Sequence, residues 1–351
     1  MRTRILLTAA ALLLTGGGVA SAQAPATATP GKALDMVLVP KFLATDKIGR
    51  LFDQAHDGAE QAARELKNPR PLLYTGPVLG HDGASQTEIV ASAAAVPGVK
   101  AIMLSNNSGD AIVPALKAAR AKGIKVVTWD FAVPSAEGED VYVAHIDVAQ
   151  GGPVLADMAR AILPNGGPLA VLSNSPDSPA PNLWVKGFQA ALQQPADAAL
   201  KQVDLAYGND DAELGVTQAL ALLDKHPDLK LIVAPTSNSL LAAAQAVQAR
   251  NLCDKVKVTG FGLPSDMRDY VRNGCVPRFA LWSFTDLGYL AYYTTYLLAT
   301  NAIKAQDGQR FTAGRLGQYT ITKDPMRPRG LRVLLGPWTV FDRTTIDVAA
   351  R

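Results

Sequence analysis

Cysteine and histidine are scarce in this 351-residue sequence: there are two cysteines, Cys253 and Cys275, and four histidines, His56, His81, His145 and His226. None of the histidines stands at a ligand spacing such as H-x3-H, so a zinc site is not expected, and no other metal or cofactor is expected either. Aromatic residues make up 6% of the chain and charged residues 19%. Both values belong to ordinary globular proteins, and a 48% hydrophobic content provides apolar material for two cores. Long apolar runs are also missing after the amino terminus. The best candidate, residues 287–299, is interrupted by Tyr and Thr and is too short to cross about 30 Å of hydrocarbon. Phosphate-binding glycine patterns are absent, since neither Gly16 to Gly18 nor Gly151-Gly152 follows a strand with G-x-G-x-x-G or G-x4-G-K-[ST] spacing. Asp210-Asp211-Glu213 is most simply the acidic first turn of a helix.

The amino terminus carries Arg2 and Arg4, an apolar run from Ile5 to Leu14, and small residues through Ala22, the pattern of a cleavable export signal over residues 1–22. A Pro/Ala/Thr linker follows over 23–33. Without Arg2 and Arg4 the formal charge falls from +3 to +1, too small to suggest nucleic acid or an anionic membrane surface as partner. The mature chain is expected in an oxidising compartment, the periplasm, as a monomer.

From Leu34 onward, short apolar runs alternate with amphipathic stretches. Strands are expected at 34–40, 71–74, 100–104 and 125–129, with helices at 53–67, 84–95 and 110–122. A second ladder runs through helix 149–163, strand 169–172, helix 183–193, strand 202–207, helix 211–225, strand 230–234 and helix 239–249. It ends with strand 255–261, helix 265–273, strand 278–282 and helix 285–305. Strand–helix alternation implies parallel sheets with right-handed crossovers, so the fold class is α/β with two Rossmann-like lobes. The amino-terminal lobe is assigned 34–131 plus 285–312, and the carboxy-terminal lobe 132–284 plus 313–351. The chain would then cross between lobes near 131–134, 283–284 and 313–318, forming a hinge.

Open parallel sheets bind ligands beyond the carboxyl ends of their strands. The residues expected there include Lys41, Phe42, Ser105 to Asn107, Asp130, Phe131, Ser173 to Ser175, Pro235 to Asn238, Gly262 and Trp282 to Phe284. Hydroxyls, amides and aromatic faces with one carboxylate and one ammonium suit a sugar, whose hydroxyls need hydrogen bonds and whose C–H faces need rings. Phe42, Phe52, Phe131, Trp184 and Trp282 are the candidate stacking residues. The four histidines lie away from the expected strand ends, and no nucleophile has a base beside it, which weakens the alternative of a secreted α/β enzyme.

Several stretches, taken in order, resemble one family: Val39-Pro40-Lys41 through Phe52, Tyr74 to Pro77, Pro114 to Lys117 with Thr128-Trp129-Asp130, Asn182 to Lys186, Ala234-Pro235, Gly260-Phe261, Met267-Arg268 and Leu281-Trp282. Together they are similar to type I periplasmic sugar-binding proteins of ABC importers, closest to the rhamnose-binding and autoinducer-2-binding branch. The resemblance implies ligand contacts at Lys41, Asp130, Pro235 and Ser237, with Asn182 and Trp184 flanking the cleft. It also implies a membrane permease as partner and a small sugar or polyol as ligand, a rhamnose-type aldose being favoured. Ala180 and Pro181 replace the acid and amide of the autoinducer-2 pattern, and Gly262 stands where ribose-type relatives carry an aspartate. A periplasmic signal receptor remains an alternative, whereas a repressor would need a helix-turn-helix where the export signal lies.

Cys253 lies just before the strand at 255–261 and Cys275 just after the helix that returns alongside it. Both ends fall at the edge of the sheet opposite the cleft, within reach of a disulfide; two buried thiols are the alternative.

Overall fold

The computed structural model describes residues 24–43, 49–77, 83–209 and 211–349. The expected export signal, residues 1–22, and His81 lie outside them.

The first ladder forms β1 (Asp35–Val39), α1 (Gly49–Glu65), β2 (Leu73–Tyr74), α2 (Gly83–Ala95), β3 (Val99–Leu104), α3 (Val113–Ala121), β4 (Lys125–Trp129) and β5 (Val141–Ala144). The second forms α4 (Gly151–Ile162), β6 (Gly167–Ser173), α5 (Pro179–Ala191), β7 (Leu200–Tyr207), α6 (Ala212–Lys225), β8 (Leu231–Ala234), α7 (Ser237–Ala249), β9 (Lys257–Gly260), α8 (Pro264–Arg272) and β10 (Arg278–Leu281). The chain ends through α9 (Phe284–Ala299), β11 (Arg310–Thr312), β12 (Gln318–Thr320), β13 (Thr322–Lys323), β14 (Leu331–Leu334), β15 (Thr339–Asp342) and α10 (Ile346–Ala349).

The first sheet has the order β13-β14-β5-β4-β3-β1-β2, parallel except for the antiparallel β13–β14 pair. The second, β7-β6-β8-β9, is wholly parallel, and a single bridge from Phe261 to Ala280 connects it to the antiparallel pair β10–β15. Both main sheets are covered on two faces, as the period of two in their strands requires. Met36 and Leu38 point into the core under α1 and α9, while Val37 and Val39 point into the core on the α2–α3 side. In β6 and β8, Ala170, Leu172, Ile232 and Ala234 share one core, and Leu169, Val171, Leu231 and Val233 the other.

Helix α9 is buried along nearly its whole length and lies against α1. Glycine makes this approach possible. A Cβ on Gly58 would meet the Thr285 carbonyl oxygen at 1.8 Å, and one on Gly288 the Ala55 carbonyl oxygen at 1.8 Å. Ser283 caps the helix by accepting from the Asp286 N–H at 3.1 Å, which fixes the point where the chain leaves β10.

Sheet membership differs from the sequence reading. Residues 141–144 and 331–334, assigned above to the second lobe, extend the first sheet as β5 and β14. β5 is only four residues long and follows a turn at Gly138, so its pattern is lost among loop residues. A buried polar knot holds the returning tail there. Arg327 Nη1 donates to Glu139 Oε1 and to the Val133 carbonyl, each at 2.7 Å, and its Nε donates to Asp324 at 2.7 Å. Thr128 donates to the other Glu139 oxygen at 2.6 Å. The chain therefore passes between the two sheets after Ala144, after Leu281 and between Leu334 and Thr339. The sequence reading had expected these passages near 131–134, 283–284 and 313–318.

Candidate ligand-binding cleft

At the carboxyl ends of the first sheet, the loops after β1 and β3 are pinned together by a buried side chain that sequence reasoning missed. Gln86 donates through Nε2 to the carbonyls of Pro40 (3.0 Å) and Ser105 (2.8 Å), and its Oε1 accepts from the Asn107 N–H (2.7 Å). Nothing but a polar residue in α2 advertised it.

Asp130 directly follows β4 and is only 3% exposed. Its φ of +58° lies in the left-handed region, which Asp tolerates better than most residues. The surroundings enforce this turn. Its N–H donates to the Val143 carbonyl at 3.3 Å, its carbonyl accepts from the Tyr142 hydroxyl at 2.7 Å, and the next carbonyl accepts from the Asn106 N–H at 2.9 Å. Oδ2 accepts from the Ser105 hydroxyl at 3.3 Å, while Oδ1 stands 3.9 Å from His145 Nδ1, too far for a hydrogen bond. Burial pushes the carboxyl up to about 7, against the opposing pull of the Ser105 hydrogen bond and the Lys41 charge. Lys41 is half-buried and rests its ammonium 4.2 Å from the centre of the Phe131 ring, which is 48% exposed.

His145 corrects the sequence reading, which placed every histidine away from the strand ends. It stands immediately after β5, where the chain leaves the first sheet. Burial depresses its imidazole to about 4, so the ring is neutral at pH 7. Trp282, just after β10, lies with its ring centre 4.3 Å from that of His145, and Trp338, just before β15, lies 5.6 Å from Trp282. Each of the three passages between the sheets thus contributes one ring to a single cluster, tilted between His145 and Trp282 and edge-on between Trp282 and Trp338. Among the described residues, His145 Nδ1, Trp282 Nε1 and Trp338 Nε1 are buried without a hydrogen-bond partner, as is Ser173 Oγ at the carboxyl end of β6. Trp338 was not foreseen, because β15 itself went unread.

The other expected residues divide. Phe42 is half-buried and meets Phe52 edge-on at 5.1 Å. Phe52 is a correction: it is 3% exposed and enclosed by Phe42, Trp129 and Phe284, so it is core and offers no face to a ligand. Trp184 is half-buried, donates its indole N–H to the Val148 carbonyl at 3.0 Å, and packs edge-on against Phe261 and Trp338. Trp338 in turn stacks on Phe261 at 3.9 Å. Asn182 donates its amide to the Pro176 carbonyl at 2.6 Å, which uses that donor locally. Pro235 is buried after β8, and Ser237 opens α7 behind the capping Thr236.

Away from this site, at the opposite end of the second sheet, Cys253 and Cys275 are joined as a disulfide with their Cα atoms 4.4 Å apart. Among the described residues, no group of three or more His, Cys, Asp or Glu is arranged to hold a metal ion, and no helix is long and apolar enough to cross a membrane.

Two α/β layers facing one another across three passages, with buried unpartnered polar atoms at the strand ends between them, describe a receptor that encloses a small molecule. Residues 42–303 match the family described as "Periplasmic binding protein domain", and the chain belongs to that family: it is a binding protein and not an enzyme. Over 245 residues, 69% of this chain and 74% of the relative, it is 28% identical to the D-ribose/D-allose-binding protein of Pseudomonas aeruginosa. A sugar ABC transporter protein from Actinomyces odontolyticus shares 31% identity with a TM-score of 0.82, covering 90% of this chain and 97% of that one. A solute-binding protein from Clostridium phytofermentas with bound L-rhamnose shares 27% identity with a TM-score of 0.67, covering 93% and 98%.

Proposed function

We propose that this protein is the periplasmic substrate-binding component of an ABC importer and that it captures a small neutral sugar or polyol between its two lobes for delivery to a membrane permease. The observation that carries this reading is Asp130, a buried carboxyl group in a left-handed turn at the end of β4 and 3.9 Å from His145 Nδ1, which with the indole nitrogens of Trp282 and Trp338 is buried without a hydrogen-bond partner among the described residues. Buried polar groups without partners are rare, and a ligand rich in hydroxyls supplies what they lack. The exposed Phe131 and the half-buried Trp184 offer apolar faces to sugar C–H groups, and a methyl-bearing aldose of the rhamnose type uses them best. The names of the relatives support a sugar as the ligand class.

A thermal-shift screen of the mature protein against L-rhamnose, D-ribose, D-allose and common polyols tests the reading. A ligand present at a hundred times its Kd stabilises the folded state by about 2.7 kcal/mol, a clear rise in Tm. No rise with any sugar or polyol at millimolar concentration rejects it.

A further inference from the structure

A non-glycine residue at a φ of +58°, as Asp130 is, persists only where its surroundings over-determine it. Strand β5 supplies part of that hold. The Tyr142 hydroxyl donates to the Asp130 carbonyl at 2.7 Å, the Asp130 N–H donates to the Val143 carbonyl at 3.3 Å, and the His145 ring is hydrogen-bonded to the same backbone. With only four residues, β5 needs support of its own, and Tyr142 receives it from Arg327, whose guanidinium lies 4.8 Å from the centre of its ring. The same guanidinium donates to the Val133 carbonyl, just after the turn, and to Glu139, whose other oxygen accepts from the Thr128 hydroxyl just before it. The Arg327 side chain is 10% exposed and that of Glu139 2%, so water competes little for these charge-assisted bonds. One tail residue, 194 positions beyond Val133, thus grips both flanks of the turn and the ring that bonds to it. None of its partners is a candidate ligand residue.

We infer that Arg327 is a positioning residue for ligand binding: through Tyr142 and the segment from Thr128 to Val133, it keeps Asp130 in the left-handed turn that presents Asp130 and Phe131 to the ligand. The inference rests on the sugar-binding reading above. Without the grip the turn relaxes toward ordinary backbone, and only the fraction still left-handed binds. The apparent Kd rises by the inverse of that fraction, about tenfold if one molecule in about ten retains the turn.

The test uses calorimetry on the mature protein with whichever of L-rhamnose, D-ribose and D-allose binds the wild type, and records the Tm of each variant. Tyr142→Phe, which removes only the hydroxyl, is expected to weaken binding about tenfold, and Arg327→Met by a similar factor. Because both act on one turn, the double variant should bind about as weakly as the weaker single one, whereas independent effects would multiply to about a hundredfold. Arg327→Lys keeps the charge but not the planar fork, so it should bind as weakly as Arg327→Met and serves in its place if Arg327→Met does not fold. Gly288→Ala, which loosens α1 from α9, is the control for stability alone: its Tm should fall and its affinity stay. Folded Tyr142→Phe or Arg327→Lys protein with wild-type affinity overturns the inference. So do losses that multiply in the double variant, or a Gly288→Ala protein that loses affinity in proportion to its Tm. If none of the sugars binds the wild type, the sugar reading itself falls and takes this inference with it.

Discussion

On the proposed sugar-binding reading, Asp130 ties ligand affinity and folding stability to the same proton with opposite signs. Its carboxyl is raised to about 7 by burial. Ligand hydroxyls need it ionised, so protons compete with ligand below that value. If only the carboxylate binds, the apparent Kd rises by a factor of 1 + 10^(pKa − pH), about elevenfold at pH 6 and about a hundredfold at pH 5. A carboxyl at its ordinary value would give almost no change over that range. Stability runs the other way. The folded-state value lies above the unfolded one, so the folded state holds more protons, and the ligand-free protein loses stability as pH rises from about 4 to about 7. Between pH 5 and pH 8 the loss from this group is roughly 2 to 3 kcal/mol, several degrees in Tm. His145, depressed to about 4, stays neutral above pH 5, and the Tyr142 hydroxyl, whose titration burial drives upward, stays protonated. Calorimetric affinities and ligand-free melting curves at pH 5, 6, 7 and 8 make the comparison. Asp130→Asn tolerates the left-handed backbone and cannot ionise, so it should flatten the contribution of this site to both curves while binding at least about tenfold more weakly at pH 8. Wild-type affinity that stays constant from pH 5 to pH 8 refutes the reasoning.

Three further outcomes are expected. Gly288→Ala should destabilise by about 2 to 4 kcal/mol, because its Cβ would lie 1.8 Å from the Ala55 carbonyl oxygen and force α1 away from α9; an unchanged Tm contradicts that packing. Replacing both cysteines by serine should cost about 3 kcal/mol for a cross-link spanning 22 positions, and non-reducing mass spectrometry of the purified protein should find no alkylatable thiol at Cys253 or Cys275. Saturating ligand should reduce the radius of gyration in small-angle scattering as the lobes close, and an identical radius with and without ligand argues against a hinge.

The α/β alternation was legible because β1, β3, β4, β6 and β8 are apolar on both faces and each is bounded by a turn signal or a helix start, so local pattern and tertiary role agree. Asp130 and Trp282 were legible for the same reason, since each ends an obvious strand. β5 and β15 were not, because each is four residues long and is stabilised by distant partners: β5 by β14 and the Arg327–Glu139 knot, β15 by β10. His145 and Trp338 flank those two strands and disappeared with them. Phe52 failed in the opposite direction. Its place near the first strand end suggested the cleft, but a helix face is decided by what packs on it, and α9 lies there.

The two residues that escaped notice, His145 and Trp338, join the foreseen Trp282 where the chain passes between the sheets. His145, Trp282 and Trp338 mark the three passages between the sheets, and they meet through ring contacts of 4.3 and 5.6 Å. Among the described residues, no hydrogen bond joins these three side chains to one another. Aromatic contacts depend weakly on small sliding displacements, whereas hydrogen bonds fail once angle or distance is lost. On the proposed sugar-binding reading, a hinge built on rings rotates at little enthalpic cost and leaves its nitrogens for the ligand. Asp130, by contrast, is fixed by hydrogen bonds to Val143, Tyr142 and Ser105 on one side of that hinge. Rigid recognition beside a compliant floor would give the proposed closure a direction, the second lobe moving onto a ligand that the first has already oriented.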